Sequence, residues 1–84
     1  MYKEVFHQRL KQARKMSGFT QVEVKSHLDI PQPTLARYET GRSEPDIETM
    51  AKLAEFYGVS IDWLCGIGSQ GRNPNYYDEM RIRA

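Results

Sequence analysis

The segment Thr20-Gln21-Val22-Glu23-Val24-Lys25-Ser26-His27-Leu28-Asp29-Ile30-Pro31-Gln32-Pro33-Thr34-Leu35-Ala36-Arg37-Tyr38-Glu39 constrains this chain more than any other. It reads as two short helices joined by a tight turn. Thr20, with Glu23 three positions on, fits a capping box: the hydroxyl accepts from one backbone N–H and the carboxylate from another. Val24 and Leu28 then fall one turn apart on a single face. Pro31 and Pro33 suit a first helical turn, whose N–H groups lack internal partners anyway. A proline also pushes the residue before it out of the α region, so Gln32 is expected as the N-cap and Pro33 as the first helical residue. Val24, Leu28, Ile30 and Leu35 would lock the two helices together. Gln21, Gln32, Thr34 and Arg37 would be left on polar faces.

Three further helices frame this pair, and no strand pattern of useful length competes with them. The first is expected from about Lys3 to Met16, with Phe6, Leu10 and Ala13 on one face and Ser17-Gly18 as its stop. A fourth is expected from Asp46, as N-cap, to Tyr57, ended by Gly58. Ile47, Met50, Ala51, Leu53, Ala54 and Tyr57 make its apolar stripe. A short fifth, Ser60 to Cys65, brings in Ile61, Trp63 and Leu64. From Gly66 the composition becomes that of a linker, through Gly68, Gly71 and Pro74. The expected organisation is therefore an all-α, compact five-helix domain over residues 1–66. A flexible linker and C-terminal tail would occupy 67–84, disordered or partner-binding.

Eighty-four residues suffice for one small core. No apolar run approaches the roughly 20 residues of a membrane span, and no signal-peptide pattern opens the chain. With the single Cys65, no internal disulfide can staple the core, and a cytoplasmic protein is expected. The net charge of +1 conceals a split. Residues 1–42 hold eight Lys and Arg against four Asp and Glu, whereas residues 43–84 hold four against seven. A basic half can face phosphates while the acidic half points away, or both can be ordinary solvated faces.

Catalytic and metal chemistry find no footing. His7 and His27 fall on different helices without companions at metal-ligand spacing, so both are expected at the surface and no metal or other cofactor is expected. Nothing beside Cys65 would lower a thiol pKa, and a small buried hydrophobe is the expected role. Gly66-Ile67-Gly68 with Gly71 follows no strand and opens no helix, which a phosphate loop requires. No nucleophile–base arrangement is present, and no enzyme is expected.

Several dispersed pieces, in order, resemble the Cro/phage-repressor helix-turn-helix family, of the xenobiotic-response-element type. They are Arg14, Phe19-Thr20-Gln21, Ile30-Pro31-Gln32, Arg37-Tyr38-Glu39, Gly41-Arg42, Glu44-Pro45, the fourth-helix stripe and Gly58-Val59-Ser60-Ile61-Asp62-Trp63-Leu64. The resemblance covers residues 4–66 and implies a lambda-repressor-like DNA-binding domain, bacterial or phage-encoded. In that family the third helix enters the major groove, roughly 12 Å wide, while the second crosses above it. By resemblance, Gln32, Pro33, Ala36 and Arg37 fall at base-reading positions. Arginine suits guanine, glutamine suits adenine, and Pro33 offers an apolar face to a thymine methyl. Gln21, Thr34, Tyr38, Gly41 and Arg42 fall at backbone-contacting positions, with Tyr38 equally suited to core packing. Arg14 and Glu39 match an ion pair that ties the first helix to the end of the third.

The chain departs from the family pattern at three places. Asp29 replaces a turn glycine, Lys25 replaces a small residue between the helices, and Pro31-Gln32-Pro33 opens the recognition helix. The resemblance implies a homodimer that reads half-sites about 34–36 Å apart. Ile61 and Trp63, near the end of the fifth helix, are the expected dimer contact; Trp63 can at the same time seal the core. The implied function is that of a sequence-specific double-stranded DNA-binding transcriptional regulator, a repressor on an inverted-repeat operator. Two alternatives stay open. One is an antitoxin that autoregulates its promoter and holds a toxin through Tyr76–Ala84. The other is a protein-interaction module with the same fold. The family often appends a further domain after such a linker; the chain, ending at Ala84, is read as complete.

Overall fold

The computed structural model describes residues 2–67. Met1 and residues 68–84 of the tail expected over 67–84, including the suggested Tyr76–Ala84 partner segment, lie outside the described residues. Five helices follow one another: α1 Tyr2–Met16, α2 Gln21–Leu28, α3 Gln32–Thr40, α4 Ile47–Tyr57 and α5 Ile61–Leu64. The described residues contain no strand. No helix among them is long and apolar enough to cross a membrane.

α2, α4 and α5 each start where a side chain satisfies a free N–H group of the first turn. Thr20 Oγ1 accepts from the Glu23 amide at 3.1 Å while Glu23 Oε1 accepts from the Thr20 amide at 2.8 Å, completing the capping box. Asp46 Oδ1 accepts from the Thr49 amide at 2.8 Å, and Ser60 Oγ accepts from the Trp63 amide at 2.9 Å. The hydrogen bonds from Thr49 also hold the Asp46 carboxyl below its usual range. α3 differs from these three helices. Its N-cap is Pro31, which makes no side-chain cap bond, and Gln32 is already helical. This corrects the expectation of Gln32 as N-cap: Pro31 takes φ −56° and ψ 141°, so the extended residue stands one place earlier. Asp29 occupies the left-handed conformation (φ 60°) that ends α2, and is the only non-glycine among the described residues to do so. A short polar side chain tolerates that conformation, so the turn survives without glycine.

The helices close on one core. Leu10, Val24, Leu35, Leu53 and Leu64 are fully buried at its centre, and Phe6, Ala13, Ile30, Ala54, Tyr57, Val59 and Trp63 surround them. α1 packs on α3 and α5, α2 on α3, and α4 on α5. The apolar stripe of α4 is narrower than its sequence implied. Leu53, Ala54 and Tyr57 are buried, but Ile47 is 80% exposed and Ala51 is exposed as well. These two lie one turn apart on a ridge that the other helices do not cover. Trp63 is 8% exposed and seals the core, one of the two roles expected of it, while Ile61 retains 36% exposure. The Arg9 guanidinium sits 4.8 Å from the indole centroid, and Arg9 Nη1 donates to the Trp63 carbonyl at 2.6 Å.

Candidate nucleic-acid interface

α3 presents two faces. Leu35 and Glu39 point inward and are buried. Pro33 and Arg37 are exposed, with Thr34 and Ala36 half-buried beside them. Arg37 Nη2 donates to Thr34 Oγ1 at 3.3 Å, so these neighbours on the outer face are loosely joined. Gly41 ends the helix at φ 82°, and the Arg42 amide returns to the Arg37 carbonyl at 2.9 Å. Arg42 and Gly41 are exposed at the end of the outer face. Ala36, Arg37, Thr40 and Arg42 together line a shallow groove. Tyr38 is half-buried and packs against the core, so its position fits the packing role.

A polar network braces this surface from below. Arg14 Nε donates to Glu39 Oε2 at 2.7 Å and Nη2 donates to Oε1 at 3.0 Å, a bidentate pair whose side chains are only 10% and 1% exposed. Arg14 Nη1 donates to the Phe19 carbonyl at 2.9 Å, which pins the loop between α1 and α2. The Glu39 hydrogen bond raises the already high pKa of the guanidinium. Gln21 Nε2 then donates to Glu39 Oε1 at 3.0 Å, and Gln32 Nε2 donates to Gln21 Oε1 at 2.7 Å. One connected chain of side chains thus runs from α1 to both ends of α3.

The chain has a direction, imposed by its carboxylate. An ionised carboxylate only accepts, so Gln21 must turn its amide nitrogen toward Glu39. Its oxygen then faces Gln32, which must donate. The Gln32 amide is left with its oxygen and one N–H for an outside group. Sequence reasoning placed Gln21 and Gln32 separately, at backbone and base positions. It missed that they are bonded to each other and to Glu39. The spacing carries no mark of this, because the partners are 11 and 18 residues apart.

The departures at α2 leave the motif intact. Lys25 is exposed, and its charge stays out of the helix contact. His27 is exposed, as expected, and packs edge-on against Phe19 and tilted against Phe56, with ring centroids 5.5 and 5.3 Å away. His7 is not at the surface: it is 7% exposed, beneath the end of α3. No cluster of potential metal ligands exists among the described residues. Burial, with Asp62 adding repulsion, pushes the Cys65 thiol up, away from reactivity.

A helix-turn-helix family model matches residues 10–64, which span α2, α3 and most of the elements that hold them. The chain belongs to the Cro/repressor-type helix-turn-helix family. It is 43% identical over 58 residues to the HTH-type transcriptional regulator ImmR of Bacillus subtilis, covering 69% of this chain and 46% of that protein. It is 38% identical over 60 residues to the SPbeta prophage-derived regulator YonR of the same organism, covering 71% and 56%. It is 34% identical over 59 residues to the cryptic phage CTXphi transcriptional repressor RstR of Vibrio cholerae, covering 70% and 53%. The chain thus spans about half the length of the curated relatives it matches. The family assignment agrees with the resemblance read from the sequence.

Proposed function

We propose that the chain binds double-stranded DNA by seating the outer face of α3 in the major groove and represses transcription as a homodimer on an inverted repeat. The observation that carries this reading is the braced Gln32. Its free oxygen and remaining N–H match the N6 donor and N7 acceptor of adenine, and the Gln21–Glu39–Arg14 network fixes the amide in that orientation. Arg37, exposed one turn later, suits guanine O6 and N7. Pro33 and Ala36 offer apolar contacts between them, including to a thymine methyl. Gln21, Thr34, Gly41 and Arg42 border the groove where phosphates would run, and such contacts position the protein without reading sequence. Tyr38 lends its backbone position to that rim while its ring packs inward.

Dimerisation is part of the proposal, because one recognition helix covers too few base pairs for strong selectivity. Ile61 is the exposed half of the expected contact, and Trp63 supports it from within the core. Repression rather than activation is supported by the printed name of RstR, a repressor with 34% identity. The protein would act in the cytoplasm of a bacterium.

Selection of bound duplexes from a random pool, with Arg37→Ala in parallel, tests the reading. An enriched inverted repeat with half-sites about one turn, roughly 34–36 Å, apart is expected, relaxed at a single position by the substitution. Absence of any enriched sequence would overturn it.

A further inference from the structure

The end of α3 and the loop after it rest on a buried histidine from α1. His7 Nδ1 lies within hydrogen-bond reach of the Tyr38 carbonyl. Carbonyls in the last turn of a helix lack internal donors, so His7 acts as a cap supplied from a different helix. The imidazole also lies under Gly41: a Cβ at that position would come within 3.1 Å of His7 Cδ2. With φ at 82°, position 41 therefore favours glycine both for its backbone and for the ring beneath it.

The second nitrogen of the ring has no such partner. His7 Nε2 is fully shielded and makes no hydrogen bond among the described residues. Glu44 Oε2, on the loop that follows Gly41 and Arg42, stands 3.6 Å away, just beyond bonding distance. Both ring nitrogens thus face acceptors, a carbonyl on one side and a carboxylate on the other. A neutral imidazole has one N–H and can satisfy only the first of them; an imidazolium can satisfy both. The negative end of the α3 dipole lies on the same side as the Tyr38 carbonyl and favours positive charge there. Other charged groups face this ring too. Lys3 Nζ stands 3.5 Å from the same Glu44 oxygen and competes for it. Glu4 on α1 and Glu39 on α3 line the same cavity, Glu39 with its carboxylate already committed to Arg14 and Gln21.

We infer that His7 is a positioning residue for the proposed DNA-backbone contact of Gly41 and Arg42, and that its protonation draws Glu44 in and fastens the α3–α4 loop against α1. The inference rests on the DNA-binding reading for its consequence but not for its mechanism. Protonation gives Nε2 a donor aimed at Glu44. Loss of the proton leaves a lone pair facing a carboxylate, and Glu44 then keeps its ion pair with Lys3 without support from the ring. The loop carries Arg42, so tightening it orders the arginine before DNA arrives. Binding of DNA and of a proton at His7 then assist one another.

The test follows both links separately. In the free protein, backbone amide shifts of Gly41 to Glu44 are recorded across about pH 5–8, the range in which histidines ordinarily titrate, alongside the ring signals of His7 and His27. The loop amides are expected to move with His7 and not with His27. They should stop moving in His7→Asn, which keeps a donor near Nδ1 but carries no charge. If that variant does not fold, Glu44→Gln, altered at a half-exposed side chain, gives the same reading. With the selected duplex, wild-type affinity is expected to rise about fivefold from pH 8 to pH 6, the low end of ordinary coupling between sites, and to stay flat in Glu44→Gln. Loop amides that ignore His7 would overturn the inference. An affinity whose pH response survives both substitutions would overturn it too. Loop amides that follow His7 in a protein that binds no duplex at any pH would uphold the fastening and instead overturn the DNA reading.

Discussion

The inner and outer faces of α3 hold their polar groups by opposite means. On the inner face, Glu39 accepts three hydrogen bonds from Arg14 and Gln21 and is almost wholly buried. On the outer face, the Arg37 guanidinium is exposed and makes a single hydrogen bond among the described residues, to Thr34 at 3.3 Å. The buried group is fully committed, and a buried ionic network keeps its geometry only if every member is satisfied. The exposed group is nearly free, and so remains available to an incoming base. Gln32 joins the two conditions: one hydrogen of its amide belongs to the buried network, and the rest of the group points outward. The division separates what sets the angle of the helix from what meets a ligand.

Breaking the inner face should cost the most. Glu39→Ala leaves the Arg14 guanidinium buried without its partner, and removal of one member of a buried pair typically costs about 3–5 kcal/mol. That is a large share of the stability of a domain this small. Urea denaturation followed by circular dichroism should show a collapse of the midpoint, with Arg14→Met, which removes the other charge, similarly affected. An unchanged melting temperature in Glu39→Ala would show that the pair does not hold α1 to α3.

The outer face should show the reverse behaviour. Arg37→Ala is expected to leave the denaturation midpoint within about 0.5 kcal/mol of the parent, as exposed substitutions do. It should remove about 1–3 kcal/mol of discrimination at a single base position. If Arg37→Ala instead lowered stability, the separation between the two faces would be lost. Arg42→Ala is a gentler case. It should weaken binding to all duplexes alike and reduce the slope of log affinity against log salt by about 1. A change in sequence preference would move Arg42 from the backbone-contacting group to the base-reading one.

The same contrast explains what the sequence disclosed. Caps and apolar spacing are local, and Thr20 with Glu23, Asp46, Ser60 and Gly58 marked their helix ends correctly because each acts within one turn. The Arg14–Glu39 pair spans 25 residues and was legible only through a family resemblance. The Gln21–Gln32 bond and the burial of His7 depend on how α1, α2 and α3 cross, which no single segment specifies. Ile47 and Ala51 misled for a related reason. Helical spacing shows which residues share a face, but the width of the covered part depends on the neighbouring helices, and here the cover takes in Leu53, Ala54, Tyr57 and part of Met50 while leaving Ile47 and Ala51 outside.

The smallest expected effect tests whether the interior around Glu39 is as dry as the network implies. The Tyr57 hydroxyl is shielded and has no hydrogen-bond partner among the described residues. Burial pushes its pKa well up, the Glu39 charge adds to the shift, and Arg14 opposes it. A raised folded-state pKa means that the phenol's contribution to stability is complete below its unfolded value, roughly 10. The contribution drains away as pH rises from there toward the folded value. The wild-type protein should therefore lose stability above about pH 10 partly through this one group. Tyr57→Phe removes an unpaired hydroxyl, so at neutral pH it should be as stable as the parent or up to about 1 kcal/mol more so. Its alkaline limb should fall less steeply, and the difference between the two proteins isolates Tyr57 from the lysines that titrate in the same range. Superimposable alkaline limbs would mean that the hydroxyl reaches water in solution. In that case the Glu39 carboxylate beside it would be screened, and the inner face of α3 would be held less firmly than its three hydrogen bonds imply.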